Sequence, residues 1–379
     1  MAVSNPTKFL PIRVRSVRSE PLDIALLSPF GISGGAQEAA NNALVRLELE
    51  DGTVGYGEAA PFPAYNGETQ EAALAALAAG AAGIEGREAS DCEALAAEFR
   101  RRGGHASGSA QCAFEMALLD ALGRRERLPL WRWFGGGCGE LETDMTITTG
   151  SPSEAADAAR DIRRRGIRLI KVKVGGRAGV AADLARVRAI SEAAPDSPLV
   201  LDANAGLSRA DAGALARGLR DQGVTPALLE QWLAKDDLAG MRALHEETGW
   251  TVAADEAVTC ASDALRVAAE GAAQVINIKL MKAGILEALQ VAAAARSAGL
   301  GLMIGGNVES ILAMTVSACF ASGLGGFVHA DLDTPLFLAT NPFSGGYALT
   351  GGRISVAHIA AGHGVVPRAA AENGPDALG

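Results

Sequence analysis

Five polar residues stand at nearly even intervals through the second half of the chain: Lys173, Asp202, Glu230, Asp255 and Lys279, separated by 29, 28, 25 and 24 positions. Each closes a short apolar run (LIKVK, LVLD, LLE, VAAD, VINIK) and is followed by a helix-like stretch. That interval is one strand–helix unit, so the five residues are expected at one height on five neighbouring strands of a βα barrel, at the C-terminal rim where catalytic groups gather. Three carboxylates on adjacent strands repel one another unless a cation lies between them, and an all-oxygen set favours Mg²⁺ over softer metals. Asp202, Glu230 and Asp255 are therefore the expected metal ligands. The lysines bracket the acids four strands apart, which in an eight-stranded ring sets them across the mouth from each other. Such a pair can remove a proton from one face of a substrate and return it to the other. A proton beside a carboxylate fits: its loss adds a second negative charge to that group, which Mg²⁺ on the carboxylate oxygens would stabilise. Lys171 lies two positions before Lys173 on the same strand and shares its face, and this like charge is expected to favour a neutral Lys173.

The elements needed to position these groups can be read around them. From Leu141 onward, apolar segments alternate with helical ones, and eight strand-like segments end near Thr148, Lys173, Asp202, Glu230, Asp255, Lys279, Gly305 and Asp331. Ser151-Pro152-Ser153-Glu154 predicts a capped helix start with a reciprocal Ser–Glu box, and Gly166 its stop. The first third reads as a smaller α+β unit. Strand-like runs cover 12–17, 43–49 and 53–57 with a turn at Asp51-Gly52, and helical patterns cover about 68–82, 90–101 and 110–124. It ends near Gly135-Gly136-Gly137. Trp131 and Trp133 are expected to pack between the two parts.

Composition limits the alternatives. The chain has 379 residues, 49% hydrophobic and 21% charged, as a soluble globular protein of two domains would. A net charge of −10 offers no basic footprint for nucleic acid or anionic membranes. Five scattered cysteines without a C-x-x-C pair indicate neither a disulfide framework nor a zinc site, and no apolar block reads as a signal or a membrane span, so the cytoplasm is the expected location. The Gly-rich GGGCG and GLGG lack the strand–helix context of a dinucleotide site. Of the five histidines only His329 is expected near the rim.

In the order LIKVK, LDAN, LLEQW, AADE, INIKLMKAG, IGGNVES, DLDTPLFL, these motifs resemble those of the enolase superfamily, muconate cycloisomerase subgroup, over nearly the whole chain; GYGEAAPFPAYNGE resembles that family's capping hairpin and loop. The resemblance implies an α/β fold: a (β/α)7β modified TIM barrel, about 136–346, under an α+β N-terminal capping domain, 1–135, joined by the C-terminal segment 347–379. Within the subgroup, Asp331-Leu332-Asp333 resembles the Asp-x-Asp of dipeptide epimerases. By that resemblance Lys173 and Lys279 are the acid/base pair, Asp202, Glu230 and Asp255 hold Mg²⁺, and Asp331 and Asp333 bind the ammonium of a small dipeptide. Thr146, Lys171, Gly306 and Asn307 are further contacts, and a homo-oligomer is expected. Two departures stand out: Gln231-Trp232 where the family usually has Gln-Pro, and a capping loop, 29–42, without the Lys or Arg of Ala-Glu epimerases. An uncharged, apolar C-terminal residue is therefore the expected substrate feature. A cycloisomerase, an o-succinylbenzoate synthase, an N-acylamino acid racemase and a catalytically silent binding protein are the rival readings. Both lysines with all three acids argue against the last.

Overall fold

The computed structural model describes residues 9–32, 34–148 and 150–368. The outer ends of the expected cap, 1–8 and 369–379, and Ser33 of the capping loop lie outside the described residues.

The N-terminal part is built on an antiparallel sheet of β1 (Val14–Ile32), β2 (Gly35–Leu49) and β3 (Val54–Ala59). The stretch 29–42, expected as a loop, is mostly strand: Leu22 pairs with Asn42, Phe30 with Gln37 and Ile32 with Gly35, after an irregularity following Ala25. Gly and Asn weaken a strand locally, but a long partner supplies the ladder that local composition does not show. Helices α1 (Pro63–Asn66), α2 (Gln70–Ala81), α3 (Cys92–Arg101), α4 (Gly108–Arg125) and α5 (Leu130–Trp133) follow. The sheet meets α4 so closely that a Cβ on Gly55 would stand 2.1 Å from the Ala117 carbonyl oxygen and one on Gly57 2.0 Å from that of Ala113. Only glycine lets backbone lie on backbone there. Behind α4, Phe99 stacks on Phe114 with ring centroids 4.1 Å apart, both fully buried. Phe99→Ala should lower unfolding free energy by about 3–5 kcal/mol, read by urea denaturation.

After the short β4 (Leu141–Glu142) come eight parallel strands: β5 (Met145–Ile147), β6 (Ile170–Lys173), β7 (Leu199–Asp202), β8 (Leu228–Glu230), β9 (Val252–Ala254), β10 (Val275–Lys279), β11 (Gly301–Gly305) and β12 (Phe327–Ala330). Seven helices connect them: α6 (Pro152–Arg164), α7 (Val180–Ala193), α8 (Arg209–Asp221), α9 (Leu238–Thr248), α10 (Ala261–Ala269), α11 (Ile285–Ser297) and α12 (Ile311–Leu324). Each strand pairs with its neighbour in sequence, and a parallel bridge between Thr143 and Ala330 closes the ring. Five strand ends fall on the expected residue; Thr148, Asp255 and Asp331 lie one position past theirs. The Ser151–Glu154 box starts α6 as expected. The C-terminal segment divides its contacts. β14 (Ala348–Thr350) and β15 (Arg353–Ser355) pair with each other and β15 with β4, whereas Gly362 exchanges backbone hydrogen bonds with Leu128 and Leu130. β13 (Phe343–Ser344) pairs with β16 (Val366–Pro367).

Two buried glutamates join the parts. Glu58 of β3 accepts from Ser310 N at 2.9 Å and Ala313 N at 3.2 Å, at the start of α12, and from Asn42 Nδ2 at 2.6 Å. Glu115 of α4 accepts from Leu286 N at 2.9 Å, at the start of α11. Helix N-termini favour such anions. Trp131 donates to the Ile359 carbonyl, Trp133 packs on Phe9 and Phe134, and Phe134 meets Phe320 of α12, so of this aromatic run it is Phe134 that reaches a barrel helix through its ring.

Candidate active site

The strand ends bring Lys171, Lys173, Asp202, Glu230, Asp255, Lys279 and Asp331 together at the C-terminal end of the barrel, all buried. Alternation on β6 points Lys171 and Lys173 to one side. Both reach Asp202 Oδ2, at 3.0 and 2.7 Å. Lys173 also donates to Asn204 Oδ1 at 3.2 Å. Lys171 lies 2.8 Å from Glu230 Oε2 and 2.7 Å from Asp331 Oδ2, so three carboxylates surround it. The Lys171 charge is thus compensated where it stands. Across the ring, Lys279 Nζ stands 3.0 Å from Asp255 Oδ2 and 4.4 Å from the centre of the Tyr65 ring. Lys282 holds Asp255 Oδ1 at 2.8 Å.

These contacts set the titration of the site. Burial disfavours the Asp202 carboxylate, but Lys171 and Lys173 outweigh it and bring its pKa down to about 2. Glu230 goes the other way: burial and the Asp202 charge push it up to about 7 against Lys171. Lys279 is buried, which favours its neutral form, yet the Asp255 carboxylate holds it above the ordinary lysine range.

The donor chemistry suits a hard divalent cation. Asp202, Glu230 and Asp255 offer only oxygens, and Glu230 Oε2 and Asp255 Oδ2 lack a partner in hydrogen-bond geometry, though each is within ion-pair distance of a lysine. Asp202 and Glu230 converge on Lys171, whereas Asp255 is held by Lys279 and Lys282. The described residues whose carboxylate oxygens close on one another, within 4.8 Å, are Asp144, Asp331 and Asp333.

Thr146 donates its backbone N–H to Asp333 Oδ2 at 2.6 Å, bringing the first and last strands together at that corner. Gly306 leaves room where a Cβ would strike Met314 Cε at 2.4 Å. Asn307 is committed to the cap: its side chain donates to the Ala60 carbonyl at 2.9 Å and its N–H to Glu309 Oε1 at 2.7 Å. The Trp232 departure does not reach the rim. Its indole is buried and donates to the Leu201 carbonyl at 2.9 Å, while Gln231 Oε1 accepts from Asp255 N and Ala257 N and so fixes that strand end. His329 makes no side-chain hydrogen bond or ion pair with the site residues among those described, and burial lowers its pKa.

Sequence reasoning missed several members. Asn277 donates to Glu230 Oε1 at 2.8 Å; it lies two before Lys279, a same-face signal that was available. Tyr65 of the cap donates to Asp255 Oδ1 at 3.2 Å. Arg186, buried on α7, donates to the carbonyls of Lys173 and Thr148, both at 2.9 Å, and pairs with Asp183. Next to it a cavity of about 440 Å³ runs under the tip of the β1–β2 hairpin, lined by Gly31, Ile32, Gly35, Ala36 and Arg177 among others.

Known proteins share this fold. Residues 15–135 match the mandelate racemase / muconate lactonizing enzyme N-terminal domain, and 154–371 match the enolase C-terminal domain-like family. An aromatic dipeptide epimerase of Herpetosiphon aurantiacus is 49% identical over 356 residues, 94% of this chain and 99% of that protein. A mandelate racemase/muconate lactonizing enzyme structure from Sorangium cellulosum superposes with a TM-score of 0.89 at 55% identity, covering 96% of this chain and all of that one. A dipeptide epimerase from Enterococcus faecalis V583, solved with Mg and the dipeptide L-Leu-L-Tyr, superposes with a TM-score of 0.88 at 33% identity, covering 93% and 99%. With both domain models matched in order and the rim residues gathered on successive strands, the chain belongs to the mandelate racemase/muconate lactonizing enzyme family of the enolase superfamily and is an isomerase of the racemase and epimerase type.

Proposed function

We propose that this enzyme epimerises dipeptides at the α-carbon of the C-terminal residue, using Lys173 and Lys279 as the two bases. The observation that carries this is the pair of buried lysines on β6 and β10, four strands apart, each beside one of the three rim carboxylates. The names of the Herpetosiphon and Enterococcus relatives support the substrate class.

Asp202, Glu230 and Asp255 would hold Mg²⁺. When bound, the ion neutralises the substrate carboxylate and stabilises the charge that builds on it as the α-proton leaves. The chain's own groups do the rest. Asp331 and Asp333 take the ammonium; one lysine removes the proton from its face of the α-carbon; the other, protonated, delivers a proton to the opposite face. Arg186, through the Lys173 carbonyl, fixes where β6 ends. Tyr65 covers Lys279 from the cap and keeps water away from it. In this reading residues 1–135 and 347–379 form the cap over a catalytic barrel at 136–346. Among the described residues no helix is long and apolar enough to cross a membrane, and the described cysteines are unpaired, which favours a reducing compartment.

The test is a screen of L,L-dipeptides in D₂O followed by NMR. Solvent deuterium should enter the C-terminal α-position while the other epimer accumulates. Chelation should lower the rate by about 10³-fold or more, and added Mg²⁺ should restore it. Exchange at the N-terminal α-carbon, or full activity in excess chelator, would refute the proposal.

A further inference from the structure

The corner where β5 meets β12 contains more acid than the Asp331–Asp333 pair requires. Asp144, just before β5, is fully buried, and neither of its carboxylate oxygens has a hydrogen-bond partner. It shares its face with Thr146, two positions on, and its oxygens lie within 4.8 Å of those of Asp331 and Asp333. Asp333 Oδ1 is also without a donor, while its Oδ2 is held by Thr146 N. Among the described residues the one cation within ion-pair distance of this corner is Lys171, 2.7 Å from Asp331 Oδ2 and shared with Asp202 and Glu230. The corner thus holds three carboxylates against part of one ammonium. Buried acceptors of this kind call for donors, and buried charge for counter-charge.

We propose that Asp144 is the third arm of the ammonium-binding corner, and that the site therefore selects dipeptides with a primary N-terminal ammonium. This rests on the epimerase reading above. A primary ammonium has three N–H donors, one for each carboxylate. A secondary ammonium, as in N-terminal proline or an N-methyl residue, has two, and turns carbon toward the third acid. An N-acyl group has one N–H and no charge. Burial and the neighbouring Asp331 charge raise the Asp144 carboxyl well above its usual range, so on its own the corner favours the protonated acid and a bound cation would favour the carboxylate.

The test compares wild type and Asp144→Asn on L-Ala-L-Leu, L-Pro-L-Leu and propionyl-L-leucine, which lacks the ammonium. Asp144→Asn keeps the shape and removes the charge, and a thermal melt checks its folding. In wild type, kcat/KM for Ala-Leu should exceed that for Pro-Leu by roughly ten- to a hundredfold, the worth of one charged hydrogen bond. The variant should lose roughly the same factor on Ala-Leu, mainly in KM, so that its preference over propionyl-leucine shrinks tenfold or more. A loss that is equal on all three compounds, or a variant whose KM for Ala-Leu is unchanged, would overturn the inference and leave the epimerase reading intact. Binding of Ala-Leu without epimerisation, weakened in Asp144→Asn, would instead support the corner and overturn the reaction. If equilibrium dialysis finds two Mg²⁺ per wild-type chain and one in the variant, the corner holds an inorganic ion and the inference fails.

Discussion

Lys173→Ala and Lys279→Ala are each expected to lower the epimerisation rate by about 10²–10⁴-fold, the usual worth of a positioned acid or base, while leaving KM within a few-fold. The loss should come with a division of labour. β6 and β10 stand four strands apart, so each lysine can reach the α-carbon from one face only. A variant that keeps one base can still remove and return a proton on that base's face. Deuterium from solvent should then wash into the L-epimer with one variant and into the D-epimer with the other, while conversion of one epimer into the other stays at that residual rate. The Asp202 carboxylate at 2.7 Å from Lys173 and the Asp255 carboxylate at 3.0 Å from Lys279 would each lose a cationic neighbour. For that reason Lys→Arg at either position is the better control of structure: it restores the charge but not the ability to give up a proton near neutral pH. Following both diastereomers by NMR in D₂O separates exchange from inversion. If either alanine variant inverts at a rate near wild type, the two-base mechanism is wrong.

The site was legible where its parts repeat. Lys173, Asp202, Glu230 and Lys279 each end a strand, and a residue in that place is fixed by barrel geometry, so even spacing in the sequence became a shared height in the fold. Contacts that cross between elements leave no such trace. Tyr65 meets Asp255 from 190 positions away, and only the seating of the cap determines this. The β1–β2 hairpin tip was misread because Gly31, Gly34 and Gly35 resemble a loop when their partner strand is not considered. Asn277 and Asp144 are a different case. Each lies two positions before a residue already singled out, and the alternation that paired Lys171 with Lys173 would have found them. The compensation around Lys171 was beyond reach, since it depends on Asp331, 160 positions on, arriving at 2.7 Å.

Dipeptides with an apolar C-terminal side chain should be turned over with kcat/KM roughly 100-fold or more above L-Ala-L-Glu, because a buried carboxylate without a partner costs several kcal/mol and each 1.4 kcal/mol is tenfold. If the substrate carboxylate is held at Asp202, Glu230 and Asp255, as proposed, the reacting α-carbon would lie between the lysines with its side chain toward the cap. The described residues of the hairpin and the segments packed on it include an apolar cluster. Ile24, Phe30, Ile32, Ala40, Phe62 and Val308 form a buried cluster of their own, with Tyr65 and Phe337 packed against it, and Phe30 meets Phe62 and Phe337 edge-on at 6.4 and 5.6 Å. An aromatic or branched aliphatic side chain extends that cluster at a gain of about 1.5–3 kcal/mol on full burial. Glu38, the acid nearest the hairpin tip, is exposed on β2 and so offers a basic side chain little more than a solvated partner. The opposing argument comes from the barrel side, where sequence reasoning did not look. Arg177, exposed on the loop after β6, lines the cavity under the hairpin tip, and Arg186 lines it too but is already paired with Asp183 and two carbonyls. An exposed arginine remains solvated and contributes little to holding a buried anion. Steady-state kinetics on Ala-Leu, Ala-Phe, Ala-Lys and Ala-Glu, repeated with Arg177→Ala, distinguish the two. Arg177→Ala should leave Ala-Leu and Ala-Phe within about twofold, as surface substitutions do. If Ala-Glu instead has the highest kcat/KM and loses it in Arg177→Ala, the barrel loop supplies the countercharge that the capping hairpin lacks, and the apolar preference is refuted.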